Sequence, residues 1–243
     1  MSGHSKWNNI KNKKAKTDAQ KGKVFTKIGK EIAIAVREGG PDPTGNSKLR
    51  DLIAKAKAAN VPNDNIDRAI KKASSADAVD YEEIVYEGYG PSGVAVIVVT
   101  ATDNRNRTAG DVRHTFDKYG GNMGTSGCVA FMFTDKGVIV IEKDDAIDED
   151  ALMEASLEAG AEDFNADEDV FEITTEPSDL TAVREALEGA GYTIASAELD
   201  KIPQSYVTLE NEDDIKNMNN LIEHLEDNDD VSEIYHNWEN MTD

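Results

Sequence analysis

The spacing of apolar residues changes once along this chain of 243 residues, near residue 80, and that change limits the folds open to it. Between residues 21 and 73 apolar side chains recur every three to four positions, which is typical of amphipathic helices. From residue 81 the apolar runs are short and are separated by turn-forming residues, which is typical of strands. The sequence therefore predicts a helical amino-terminal domain followed by α+β structure.

Three helices are predicted within the first domain, which we assign to residues 1–75. The first helix covers 21–38 and stops at a Gly-Gly-Pro sequence, a common helix end. The second begins near Ser47 and is broken by the Asn-Val-Pro sequence at 60–62. The third covers about 63–73. Their apolar stripes are wide enough to form one small core.

Two α+β domains are predicted to follow, one inserted in the other. Residues 79–134 and 204–243 form a discontinuous domain, because the last elements can complete the sheet that begins at residue 81. Residues 135–203 form the inserted domain, whose predicted order, βαββαβ, is that of a ferredoxin-like fold. Strands are predicted at 81–87, 94–102, 128–133, 138–142, 162–165, 170–174, 192–199, 206–209 and 231–236. Helices are predicted at 107–118, 149–159, 178–188 and 212–225.

Two details of these elements follow from residue type. Residues 94–99 are apolar at every position, so we expect them to form a central strand with both faces buried. Ser178 precedes a helical pattern and is the expected N-cap of that helix.

Positive charge is concentrated at one end of an acidic chain. The formal net charge is −22, yet residues 1–75 hold 17 Lys/Arg against 7 Asp/Glu, a net charge of +10. Residues 76–243 carry the remaining charge, −32. Such asymmetry indicates a basic module that binds a polyanion, joined to an acidic body whose charge needs no reason beyond solubility.

The first 30 residues hold nine lysines and one acidic residue and form the first candidate nucleic-acid site. Residues 1–20 carry too little apolar surface to order alone, so we expect an arm that folds on its partner. Dense lysines can follow a phosphate backbone, while Trp7 and His4 can stack on bases. The alternative is a lysine face that contacts only solvent. The candidate lysines are Lys6, Lys11, Lys13, Lys14, Lys16, Lys21, Lys23, Lys27 and Lys30.

Residues 102–108 form the second candidate site. They lie between a predicted strand and a predicted helix, so Arg105 and Arg107 stand beside the free amide groups of a helix N-terminus. Arg113 and Lys118 continue the basic character along that helix. The alternative is an ordinary helix cap with surface ion pairs.

No arrangement of residues typical of catalysis or metal binding is recognisable, so we expect no enzymatic activity, cofactor, metal or small-molecule substrate. The segment 40–47 resembles a phosphate-binding loop, but Asn46 stands where lysine is needed. The acidic segment 163–174 lacks the glycine and the final glutamate of a calcium loop. The histidines are scattered, and Cys128, on a predicted apolar strand, is expected to be a buried, unreactive thiol.

Localisation follows from what the sequence lacks. No apolar run approaches the roughly 20 residues that span a bilayer, and residues 1–7 have no apolar signal region. One cysteine excludes an internal disulfide, which fits a reducing compartment. We expect a cytoplasmic protein without a membrane partner.

Several separate motifs are spread over the chain: HSKW at 4–7, GGPDP at 39–43, ANVP at 59–62, DNRNRT at 103–108, VRH at 112–114, GGNMG at 120–124 and LED at 225–227 with DV at 230–231. Together they resemble the YebC/PmpR family, which is related to the mitochondrial translational activator of cytochrome c oxidase. The resemblance extends over essentially the whole length. The sequence departs from the family at Asn12, where histidine is common, at Cys128, where serine is common, and at 74–75, where glycine is common.

The resemblance implies three domains, a helical one and two α+β domains with one inserted in the other. It also implies two functions. Family members are widely described as DNA-binding transcriptional regulators, whereas others associate with the ribosome, contact rRNA or tRNA, and assist synthesis through proline-rich stretches. Lysine contacts phosphate more than it reads bases, which favours RNA or the ribosome, while the family description favours DNA. Both remain open.

Overall fold

The computed structural model describes the backbone of residues 18–239 and the side chains of residues 22–239. Within these residues the chain divides into two compact units. Residues 18–133 with 203–239 form one unit, and residues 134–202 form the other. The α+β class predicted from the sequence is confirmed, with helices and two four-stranded sheets.

The first unit begins with three helices, α1 (Asp18–Gly39), α2 (Ser47–Ala58) and α3 (Asn63–Ala73). The predicted starts of α2 and α3 are confirmed. Asn46 caps α2, because its side-chain oxygen accepts from the Leu49 N–H at 3.0 Å. The same side chain donates to the Ala35 carbonyl at 2.8 Å and so fixes the α1–α2 connection. The buried core of these helices consists of Ile28, Ile32, Ala35, Val36, Leu49, Leu52, Ala56, Val61 and Ile66.

The first sheet and the helices packed on it consist of β1 (Glu82–Tyr89), β2 (Ala95–Thr102), α4 (Arg105–Lys118), β3 (Asn122–Met123), α7 (Glu212–Asp227) and β8 (Val231–His236). The sheet has the strand order β3-β1-β2-β8, and every described pairing in it is antiparallel. β2 is buried at seven of its eight positions, which confirms the predicted central strand. β8 pairs with β2, so the last strand completes a sheet begun about 150 residues earlier. α4 and α7 supply Val112, Phe116, Met218 and Leu221 to the core.

Two predicted strands of this unit are wrong. Residues 128–132 form a turn and a 3-10 helix, and Phe133 begins the strand Phe133–Glu142. Backbone N–H groups that would join a strand ladder donate to the Glu87 carboxylate instead. Cys128 is consequently half-buried in a turn, and burial raises the pKa of its thiol. Residues 206–209 contribute only one parallel bridge, between Val207 and Trp238.

The second unit consists of β4 (Phe133–Glu142), α5 (Glu149–Ala159), β5 (Asp163–Ala166), β6 (Val170–Thr175), α6 (Leu180–Gly189) and β7 (Ser196–Pro203). The order is βαββαβ along the chain and β5-β6-β4-β7 in the sheet, which is the arrangement expected of a ferredoxin-like fold. α5 and α6 pack on one face of the sheet over Ile139, Ile141, Phe171 and Ile173.

Two boundaries of the second unit differ from prediction. β7 begins at Ser196 rather than at 192, because Tyr192 and Ile194 pack into the core before the strand starts. Asp179, not Ser178, is the N-cap of α6, and no side-chain hydrogen bond caps this helix. None of the helices in the described part of the chain has the length and apolarity needed to cross a membrane.

Candidate nucleic-acid interface

Three of the lysines predicted to bind phosphate lie on α1; two of them bond to the carboxyl end of α7 and the third bonds to the residues just after it. Lys23, Lys27 and Lys30 fall on one helix face because they are spaced by four and three residues. Lys23 Nζ lies 3.0 Å from Asp227 Oδ1. Lys27 Nζ donates to the Glu226 carbonyl at 2.5 Å. The carboxyl end of a helix carries partial negative charge, so α7 attracts these ammonium groups as well as bonding to them.

Lys30 leads to a buried carboxylate, Asp230, whose side chain is only 6% exposed. Lys30 Nζ and Arg107 Nη2 each donate to this carboxylate at 2.7 Å, and the Thr108 hydroxyl donates at 2.8 Å. Burial alone would raise the pKa of Asp230, but these hydrogen bonds outweigh it and lower the pKa to about 2. Asp230 therefore joins α1, α4 and the start of β8 through one ionised group.

The two arginines of residues 102–108 are also paired within the chain. Arg105 Nη2 lies 2.7 Å from Glu82 Oε2, and Arg107 bonds to Asp103 at 2.9 Å besides Asp230. Hydrogen bonding to Asp230 and Asp103 raises the pKa of Arg107. The segment thus has the geometry of a capped helix with ion pairs, the alternative considered from the sequence. Asn104 is the cap, since its side chain accepts from the Arg107 N–H at 3.1 Å.

An open depression of about 470 Å³ lies beside this network. Lys30 and Arg107 line it, but both are already bonded to Asp230. Five aspartates dominate its wall, so the depression repels a phosphate group as it stands. These aspartates are Asp103, Asp111, Asp227, Asp229 and Asp230.

The structure describes some of the remaining candidate nucleic-acid-binding residues, and others lie outside it. Arg113 is exposed on α4 and forms no ion pair with any described residue. The backbone of Lys21 belongs to α1, whereas its side chain lies outside the described side chains. The other candidates, Lys6, Trp7, Lys11, Lys13, Lys14 and Lys16, lie outside the described residues.

A group of exposed cations on α2 and α3 lies outside the two candidate sites that the sequence indicates. Arg50 and Lys57 are seven residues apart on α2, and Arg68, Lys71 and Lys72 are three and four apart on α3, so each set shares a helix face. All five are exposed, and between residues 22 and 239 none of them has an ion-pair partner. We call these five exposed cations, two on α2 and three on α3, the cationic face. Helical periodicity identified their exposure, but only the structure shows that acidic partners are absent within the described chain.

The buried Glu87 and the exposed His224 both make structural contacts. Glu87 accepts three backbone N–H groups, and His224 shares a hydrogen bond with the Tyr119 hydroxyl at 2.8 Å. No group of three or more His, Cys, Asp or Glu residues is arranged to hold a metal within residues 22–239.

The low pKa of Asp230 makes part of the stability depend on pH. An aspartate in the unfolded chain has a pKa of about 3.9, above that in the folded protein, so the unfolded state binds more protons between these values. The contribution of Asp230 is complete above about pH 4 and is lost as pH falls towards 2. Urea unfolding should give a higher free energy of unfolding for the wild type than for Asp230→Asn. This difference in free energy should decrease as the pH falls from about 4 towards 2. A difference that is constant from pH 6 to pH 2.5 would contradict the assignment.

Comparisons with known proteins agree over nearly the whole chain. The model described as "TACO1/YebC protein N-terminal domain" matches residues 5–76, and that described as "TACO1/YebC second and third domain" matches residues 81–238. A "Probable transcriptional regulatory protein" of Acetivibrio thermocellus is 63% identical over 239 residues, covering 98% of this chain and 99% of the relative. A similarly named protein of Clostridium novyi is 60% identical over 240 residues, covering 98% and 97%.

A solved structure has a fold similar to that of this chain. A conserved hypothetical protein from Aquifex aeolicus superposes with a TM-score of 0.83 at 45% sequence identity, covering 93% of each chain. The family models, the relatives and this structure together show that the chain belongs to the TACO1/YebC family.

Proposed function

We propose that this protein is a regulator of gene expression that acts by binding nucleic acid, in the cytoplasm, without catalysis, cofactor or small-molecule substrate. The cationic face is the observation that carries the proposal. Five exposed cations without described acidic partners stand on one small domain of a chain whose net charge is −22. Acidic side chains neutralise most other described cations, so this face is where a phosphate backbone meets least repulsion.

Binding of this kind depends on phosphate more than on base sequence. The connection between α2 and α3 is four residues long, as in a helix-turn-helix, but the first half of α3 exposes Asp64 and Asp67. A recognition helix contacts base edges with that half, where two carboxylates are unfavourable. Arg105 and Arg107, the residue type best suited to reading guanine, are engaged with acidic side chains.

The proposed interface therefore consists of the cationic face together with the lysines of the predicted arm. Lys23, Lys27, Arg105 and Arg107 would join it only by exchanging an internal partner for phosphate. Arg113 requires no such exchange with a described residue. This ranking makes the contribution of each basic residue separately measurable.

The first candidate role is regulation of transcription, which the printed names of the relatives support. The second is a role on RNA or the ribosome in translation. The carboxylates on the first half of α3 and the pairing of Arg105 and Arg107 favour the second role, because folded RNA is recognised largely through shape and backbone.

Salt titration of the affinity tests the cationic face. Lys57→Ala should reduce the slope of log K against log salt by about one, because one phosphate contact is lost. Lys48→Ala is the matched control on the same helix, since Lys48 already bonds to Glu38 and Glu83 at 3.2 and 3.5 Å. Fluorescence anisotropy with labelled RNA and duplex DNA gives both slopes. Equal slopes for the two variants would remove the cationic face from the interface.

Sedimentation distinguishes the two roles. A translation role predicts that the protein in cell extract co-migrates with ribosomes in a sucrose gradient at low salt and dissociates at high salt. A transcription role predicts recovery with promoter DNA and none with ribosomes. The triple variant Arg68→Ala/Lys71→Ala/Lys72→Ala should lose whichever association the wild type shows.

A further inference from the structure

Residues 119–134 contain no charged side chain, although 30% of the residues in this chain are charged. We call this segment the neutral stretch. It follows α4 and runs through β3 and a loop to the start of β4. Its residues 119–133 belong to the same compact unit as the cationic face. A polyanion that approaches this unit meets no carboxylate from the neutral stretch itself.

The loop at the centre of the neutral stretch is held rigidly from within. The buried Glu87 carboxylate accepts the backbone N–H groups of Gly127, Val129 and Ala130 at 2.6, 2.9 and 2.7 Å. The Tyr89 hydroxyl donates to the Cys128 carbonyl at 3.1 Å. The loop therefore keeps one conformation without help from a ligand, so a side chain that it presents loses little entropy on binding.

This rigid loop presents one aromatic ring to solvent. Phe131 is 70% exposed, the largest value among the large apolar side chains that the structure describes as exposed. A second exposed aromatic, Tyr206, follows two residues after Gln204, whose N–H donates to the Met132 carbonyl at 2.9 Å. Phe131 is thus an exposed apolar side chain on a loop whose backbone is held by hydrogen bonds from two other segments of the chain.

We infer that Phe131 stacks on an unpaired base of a single-stranded nucleic acid, an inference that rests on the proposed function. The exposed residues that precede Phe131 within the neutral stretch are small or polar, such as Thr125, Ser126 and Ala130. One ring in such surroundings matches the area of one base. Protein interfaces instead bury about 1,200–2,000 Å² around an apolar centre. Proteins that bind single strands without sequence preference combine exposed aromatic rings with a positively charged surface. Both features are present on the unit that holds Phe131.

Phe131→Ala should weaken binding of the full-length protein to a single-stranded 20-mer RNA or DNA by about tenfold. Affinity for a duplex of the same sequence should not change, because paired bases cannot reach the ring. Phe131→Tyr should restore single-strand affinity, since its ring also stacks. The slope of log K against log salt should stay at the wild-type value, as no phosphate contact is lost. Leu199→Ala, another exposed apolar side chain, is the control and should bind as the wild type does.

The outcomes separate this inference from the proposed function. If the wild type binds neither single strand nor duplex, both fail. If the wild type binds and Phe131→Ala binds equally well, the stacking inference fails alone. Equal losses on single strand and duplex, or no rescue by Phe131→Tyr, would also overturn it. Capture of a protein partner that depends on Phe131, with unchanged nucleic-acid affinity, would assign the ring to a protein interface instead.

Discussion

Asp230→Ala is expected to lower the free energy of unfolding by about 3–5 kcal/mol, because it leaves the buried ammonium of Lys30 without a counter-charge. Lys30 and Asp230 are 12% and 6% exposed, so solvent cannot replace the lost bonds. The Thr108 hydroxyl also loses an acceptor. Urea denaturation followed by circular dichroism measures the change. Asp227→Ala is the control, since its pair with Lys23 is exposed and should contribute at most about 1 kcal/mol.

A double-mutant cycle identifies the cause of that loss. If the unpaired Lys30 is responsible, Lys30→Ala/Asp230→Ala should be less destabilised than the sum of the two single variants. Additive effects would mean that Asp230 acts through its other partners alone. A loss of less than 1 kcal/mol for Asp230→Ala would contradict the role of this carboxylate in joining α1 to the sheet.

Replacing Lys11, Lys13, Lys14 and Lys16 with alanine is expected to weaken nucleic-acid binding by about 10²–10³-fold at 100 mM salt. Each phosphate contact contributes roughly one unit to the slope of log K against log salt, so the slope should fall by about three to four. The stability of the fold should not change, because the sequence of this segment carries too little apolar surface to form part of a core. Anisotropy titrations at several salt concentrations give both quantities.

The matched comparison is Lys23→Ala/Lys27→Ala. These two lysines come from the same basic segment but bond to the carboxyl end of α7. Their removal should reduce the slope by less per lysine than removal of the arm lysines. If both sets reduce the slope equally per lysine, phosphate displaces α7 from α1. If the four arm substitutions leave affinity unchanged, the arm is not part of the interface.

The elements that local pattern fixes were predicted well. The spacing of apolar residues located α2 and α3, and the uniformly apolar run at 94–99 located the central strand. The segment 128–133 was mistaken for a strand because it is apolar and short. Its conformation depends on Glu87, a partner about 40 residues away that no local pattern reveals.

The candidate site was predicted less completely, for a similar reason. The density of lysines in the first 30 residues is visible in the sequence, but the partners of Lys23, Lys27 and Lys30 lie about 200 residues away. Periodicity shows which cations face solvent and not which of them are already neutralised. Only the positions of the described ion pairs show that the cations of the cationic face have no described acidic partner.

The pairing of β8 with β2 has a consequence for how the chain is made. The ribosome synthesises residues 134–202 before it synthesises β8. One edge of β2 therefore stays unpaired while the whole second unit is synthesised. At about 5–20 residues per second this wait lasts on the order of ten seconds. An apolar strand with an unpaired edge is a template for aggregation. Chains that stop short of β8 should therefore accumulate in the insoluble fraction or be degraded, whereas loss of the inserted unit alone leaves β2 its partner.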